Sequence, residues 1–530
     1  MPYVGYIEKN KVSVIFSLTL LSSLVAGCGE AVLIGDVITE PSELDLDLAA
    51  LIGNAALSVD PTTENAGLTG DLLAGRSLPD IGDPLAQLGR DLFFTKGLGG
   101  DMEVACVTCH HPNLGGADGL SMSVGTGAID PNLMGPGRTH ASMDGPNVPR
   151  NAPTIFNAAL WDRFMFLDGK IENLEPLQAN NGMPASIRTP DTMPGIQDVS
   201  AGPNLTAAQS RFPVTSPAEM RTNNFMIGED RFALRDRLAQ RIGGYGAGAG
   251  EMAENNWLPL FQTAFNQPDA DAQSLITYDN IATAIGEYER TMNFVENPFN
   301  DWLNGDLSAL TDEEKRGAVL FYTPIDDGGA GCSECHSGDF FTNEEMHVIG
   351  SIQIGLGKGN GDNRTDDFGR ELLSGDSADR YKYRTSSLLN ISATAPYFHA
   401  GSYDTLEEVV AHYSNPIVAM NQWFDRGSVC NLAQFRDADN CADLYPDARQ
   451  NTQLALDVIA NNQDAEGPVF QNANINPQQQ AEVVAFLEAL TDPRIEDPEF
   501  MSDWIPNPND FGPDGLQING VDRNGMPLAQ

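Results

Sequence analysis

Basic residues are scarce in this chain. Its 530 residues include 30 Lys and Arg against 74 Asp and Glu, a formal net charge of -44. Phosphate binding needs basic patches, so nucleic acid is excluded as a partner. A basic protein would be attracted to such a surface, with a salt-dependent gain in association rate. An acidic surface kept only for solubility has the same composition. Strand-like alternation is also missing, which leaves helices and loops as the framework. The one long apolar run, "VSVIFSLTLLSSLVAGC", is too short and too early for a spanning helix. Cysteine is rare, seven residues in all, and six of them fall into the pairs 106/109, 332/335 and 430/441. The length allows about two to four domains with sizeable cores.

The N-terminus reads as a targeting segment, with Lys9 and Lys11 before the apolar run. The run closes on Leu24-Val25-Ala26-Gly27-Cys28, which resembles the lipobox of bacterial lipoproteins. The resemblance implies that Cys28 is lipidated and that residues 1–28 are signal peptide plus lipobox. A plain signal peptide cleaved nearby is the alternative. Gly29 follows the cysteine, not aspartate, which by the same resemblance implies a periplasm-facing lipoprotein of a Gram-negative outer membrane. In an exported chain, Cys430 and Cys441 are expected to close a small disulfide loop; two buried free thiols are the alternative.

Residues 29–80 are acidic and weakly periodic and read as a tether. A helix is expected at "DPLAQLGRDLFF", leading to "ACVTCHHP". A Thr-x-x-Glu start at Thr311 opens another, leading to "GCSECHSG". Each is a C-x-x-C-H motif. The two thiols can form thioethers with haem vinyl groups, and the histidine then lies under the iron. Cys106, Cys109 and His110 would hold one haem c; Cys332, Cys335 and His336 the other. A zinc site or a redox thiol pair are the alternatives. The expected fold is mainly α: two cytochrome c-like domains with long loops, spanning 81–298 and 299–492, followed by an irregular tail, 493–530.

Several segments now converge. "LGRDLFF", "RNAPTIFNAAL" (150–160), "PFNDWLNGD" (298–306) and "NISATAPYFHAGSYDTLEEVV" (390–410) resemble the bacterial di-haem cytochrome c peroxidase family, which includes the MauG-type enzymes. The resemblance implies an oxidoreductase whose first haem reacts with hydrogen peroxide while the second handles electrons. An ordinary peroxidase fed by a soluble cytochrome, or a membrane-anchored di-haem electron carrier, are the alternatives. It also implies a calcium ion between the haems, held by Asn151, Thr394 and Pro396. Glu219, in "FPVTSPAEM", is the implied proton carrier, with Gln178 as a second distal residue. The histidine that blocks the first iron in many relatives falls here on Thr126, a poor ligand; His140 lies further on. The sixth ligand of the second haem falls on Tyr413, as in MauG-type enzymes, with His412 and Met420 as rivals. A phenolate stabilises higher oxidation states, whereas a thioether favours reduced iron. The partner is then a protein electron donor or a protein substrate. One departure stands out. Relatives carry tryptophan before the Asp168-Gly169 pair, where this chain has Leu167, with Phe164 and Phe166 nearby.

Overall fold

The computed structural model describes residues 40–58, 68, 70–142, 145–177, 179–183, 186–461 and 470–528. Cys28 and Gln178 lie outside the described residues. Helices dominate. Strands are confined, among the described residues, to pieces of two or three residues: a small antiparallel sheet of 164–165, 171–173 and 187–188, and the pair 346–347 with 383–384. No helix among the described residues is long and apolar enough to cross a membrane.

The internal repeat is a repeat of one helix crossing. Pro84–Phe94, which precedes the first motif, crosses Tyr278–Arg290 at Gly89, where a Cβ would stand 1.9 Å from the Ala284 carbonyl oxygen. Asp312–Tyr322, which precedes the second, crosses Pro477–Glu488 at Gly317, where a Cβ would stand 1.8 Å from the Glu482 carbonyl oxygen. Only glycine permits backbones this close. An aromatic ring closes each crossing four residues further on, Tyr288 in the first and Phe486 in the second, and both are fully buried. Each crossing anchors a separate apolar core.

Two segments differ from their sequence reading. Part of the expected tether is a helix, Glu43–Ser58, packed against Asp312–Tyr322. Its Asp45 is buried and accepts from Trp302 Nε1 at 2.8 Å and pairs with Lys315 Nζ at 2.7 Å. The acidic composition hid one buried, paired carboxylate. The tail is irregular in backbone but not detached. Ile495, Met501, Trp504, Ile505 and Ile518 enter the first core. Asp514 accepts from Thr95 Oγ1 (2.7 Å) and Trp257 Nε1 (3.1 Å), and the Trp504 carbonyl accepts from Tyr288 at 2.8 Å. The last 35 or so described residues are therefore packed into the first apolar core.

Candidate active site

Each C-x-x-C-H motif folds as a single tight turn, Cys106–Thr108 and Cys332–Glu334, so that both sulfurs and the following histidine face one side. Each set lines an apolar cavity, about 150 Å³ at the first motif and about 290 Å³ at the second. The four cysteines are free thiols, and burial pushes Cys109, Cys332 and Cys335 up to about 12. Burial makes them poor thiolates, unlike the exposed, low-pKa cysteines of thiol–disulfide catalysis. Among the described residues, no cluster of three or more His, Cys, Asp or Glu is arranged to hold a metal.

His110 Nδ1 faces the Gly116 carbonyl oxygen at 3.3 Å, and His336 Nδ1 faces that of Phe341 at 3.1 Å. With the proton on Nδ1, each bond orients the ring and leaves Nε2 free for iron. Burial lowers both imidazoles to about 4, which keeps them neutral. The first cavity is also walled by Arg150, Lys170, Lys358 and Arg384. Arg150 is paired with Asp168 and Asp367, and the other three cations around an apolar cavity suit a flat apolar group that carries carboxylates. Arg384 Nη1 is buried with no protein partner. Burial, then the neighbouring Arg150 and Lys170, lowers Lys358 to about 8. The donor set and the cavities fit haem c at both motifs.

Glu219 lines the first cavity. It sits in a one-turn π-helix, Pro217–Arg221, capped by Ser216, whose hydroxyl accepts from the Glu219 amide at 3.4 Å. The loop "SMSVGTGA" (121–128) presses on this turn. A Cβ on Gly125 would lie 2.2 Å from the Ala218 carbonyl oxygen. Among the described residues, neither Thr126 nor His140 lines the cavity. Thr126 bonds the turn's backbone instead, and His140 Nδ1 accepts from the Ser142 amide at 3.1 Å.

Tyr413 lines the second cavity together with Cys332, Cys335 and His336. Burial raises its phenol well above the ordinary value. The rivals are occupied elsewhere. His412 uses both ring nitrogens, Nδ1 with Tyr403 Oη at 3.1 Å and Nε2 with the Ile349 carbonyl at 2.8 Å. Met420 is buried in the next helix, Pro416–Asp425, and does not line the cavity. Asn151, Thr394 and Pro396 also line this cavity. Asn151 donates its side-chain amide to the Leu120 carbonyl at 2.8 Å, which turns its oxygen the other way.

Cys430 and Cys441 are joined as a disulfide, with Cα atoms 5.2 Å apart. Inside the loop they close, Gln434 exchanges two hydrogen bonds with the Met122 backbone, at 3.1 and 2.8 Å.

Sequence reasoning missed four residues of the site. Glu289 lines the first cavity, 4% exposed, and burial raises its carboxyl to about 8. Its signal was present: on the amphipathic helix Tyr278–Arg290 it follows Ile281 and Ile285 at helical spacing, on the apolar stripe. Lys358 comes from an irregular segment and Arg384 from a two-residue strand, Tyr383–Arg384, both too short of pattern to mark them. Trp161 follows the "RNAPTIFNAAL" segment directly and lines both cavities.

The sequence profile of the family described as di-haem cytochrome c peroxidase matches residues 83–308. The chain is 30% identical over 328 residues to the methylamine utilization protein MauG of Methylorubrum extorquens, covering 62% of this chain and 67% of that one. It is 26% identical over 339 residues to the cytochrome c551 peroxidase of Pseudomonas aeruginosa, covering 63% and 73%. Among solved structures, a MauG-like protein associated with microbial copper homeostasis superposes with a TM-score of 0.50 at 22% identity, covering 80% of this chain and 94% of that one, which speaks to fold alone.

Proposed function

Because the chain belongs to the di-haem cytochrome c peroxidase family, and is an oxidoreductase of that kind, we propose that it works in the MauG manner. Hydrogen peroxide is reduced in the first cavity, and the second stores or relays the oxidising equivalent toward a protein partner. Haem iron, when bound, supplies the redox centre for cleaving the O–O bond. His110 would hold that centre, and its bond to Gly116 orients the ring. Glu219 moves a proton from one peroxide oxygen to the other, so that water can leave. Thr126, bonded to the Glu219 turn, would not be available as a second iron ligand.

The observation that carries the MauG assignment is Tyr413 on the wall of the second cavity, with His412 and Met420 engaged elsewhere. A phenolate ligand suits a site that holds an oxidising equivalent. Calcium at Asn151, Thr394 and Pro396 would fix the wall between the sites. A net charge of -44 favours a basic partner. The reading also includes export, with anchoring at Cys28.

Low-temperature EPR of the oxidised protein tests the ligands. A high-spin signal plus a low-spin His/Tyr signal is expected; two low-spin His/Met or His/His signals would overturn the assignment. Rapid steady-state turnover with reduced cytochrome c would favour an ordinary peroxidase instead.

A further inference from the structure

Seven residues line both cavities. Among these, one side chain is aromatic, Trp161, and one is charged, Arg384. Leu167, the position where relatives carry tryptophan, is also in this shared wall but has no π system. The wall's ring comes six positions earlier in the chain.

Trp161 is continuous with the second motif. Its ring meets the Phe340 ring edge-on, with centroids 4.7 Å apart. Phe340 is bonded to Phe341, whose carbonyl accepts the His336 Nδ1 proton at 3.1 Å. Trp161 also lines the first cavity. We propose that Trp161 is the electron relay between the two sites, on the path His336 imidazole, Phe341 carbonyl, Phe340 ring, Trp161 ring. The proposal rests on the di-haem reading above.

Arg384 sets how the relay works. Its guanidinium carbon stands 3.3 Å from the Trp161 ring centroid. A cation on the ring face stabilises the neutral π system. The same charge repels a ring that has lost an electron, and burial strengthens that repulsion. Trp161 therefore conducts without becoming the resting place of the oxidising equivalent. One electron leaves the second site, one arrives at the first, and the ring ends unchanged. Hydrogen peroxide is the oxidant: two electrons and two protons convert it to two waters. The crossing supplies one of those electrons and the first site the other.

The experiment compares the full-length wild-type holoprotein with Trp161→Leu, Trp161→Phe and Arg384→Gln. One equivalent of hydrogen peroxide is added in a stopped-flow spectrometer that follows each haem separately. Both potentials are measured by spectroelectrochemistry. In Trp161→Leu, oxidation of the second haem should slow by about tenfold or more relative to the reaction at the first, with potentials too little changed to explain it. Trp161→Phe keeps a ring in the wall but a harder one to oxidise. It should also be slow, and it carries the test if the leucine variant does not fold. A wild-type ratio of the two rates in either folded variant overturns the relay. Arg384→Gln should build up a tryptophan radical signal in EPR after peroxide; its absence overturns the role given to Arg384. If the second haem of the wild type never responds to peroxide, the functional reading fails, a result distinct from failure of the relay.

Discussion

Thr126 donates its hydroxyl to the Pro217 carbonyl at 2.9 Å, and its amide to that of Ala218 at the same distance. The loop after the first motif thus holds the Glu219 turn in place rather than closing the cavity. Glu219→Gln should slow the reaction with peroxide by about 10²- to 10⁴-fold, the usual worth of a general acid–base group. Thr126→Val removes the hydroxyl that donates to Pro217 and Ala218 and accepts from Asn147, costs about 1 kcal/mol of stability, and should slow the same reaction far less. Stopped-flow rates check both, and an unchanged rate in Glu219→Gln removes it from the catalysis.

The disulfide reaches the same loop from the other side. Gln434, held between Cys430 and Cys441, clamps Met122, four residues before Thr126. With 11 residues of separation, opening the loop should cost about 3 kcal/mol on the chain-entropy account. Cys430→Ser/Cys441→Ser should therefore melt earlier and react more slowly with peroxide. Calorimetry and stopped-flow read the two effects. A lower melting point with an unchanged rate would disconnect the disulfide from the Glu219 turn.

On the proposed ligation, Tyr413→Met would exchange a phenolate for a thioether at the second cavity. The second haem should become easier to reduce, and its potential should rise. Spectroelectrochemistry reads this directly. An unchanged potential and an unchanged EPR spectrum would mean that Tyr413 is not a ligand.

Much of this was legible in the chain because local rules govern it. The two C-x-x-C-H turns, the helices before them and the Thr311–Glu314 cap follow from spacing and propensity over a few residues. Tyr413 was reachable by counting from His399. The rest depends on contacts far apart in sequence. Asp45 looks like one more acidic tether residue until it meets Lys315 and Trp302. The tail reads as irregular because Trp504 and Ile518 are buried by helices more than 200 residues earlier, so no local period marks them. Trp161 and Arg384 are 223 positions apart, and nothing but folding brings them to 3.3 Å.

Glu289 gives the stability a pH dependence with a definite sign. Its carboxyl titrates near 8 in the folded chain, against an ordinary 4.5, because it is buried. Between those values the folded state keeps a proton that the unfolded state has released. Stability is full below about 4.5 and is lost as pH rises toward about 8. Glu289→Gln cannot titrate, so its thermal midpoint should fall less over the same range. Equal slopes in variant and wild type would show that Glu289 is ionised and compensated in the fold.

The paired crossings make the most direct test of the repeat. Gly89→Ala would force a methyl to within 1.9 Å of the Ala284 carbonyl oxygen, and Gly317→Ala to within 1.8 Å of the Glu482 oxygen. Neither obstacle is a flexible side chain, so the helices must move apart. Each change should cost about 2 kcal/mol or more. Because each crossing supports the helix that leads into its own motif, the damage should also be local: Gly89→Ala should lower haem retention at the first site, Gly317→Ala at the second. Gly53 is the control. It lies exposed on the helix Glu43–Ser58 with no atom within 4 Å of an added Cβ. Gly53→Ala should raise stability by about 0.5–1 kcal/mol through helix propensity. Thermal melts with haem quantified at each site separate the three variants. Equal stability of Gly89→Ala and Gly53→Ala would mean that the first crossing is looser than its backbone contacts require.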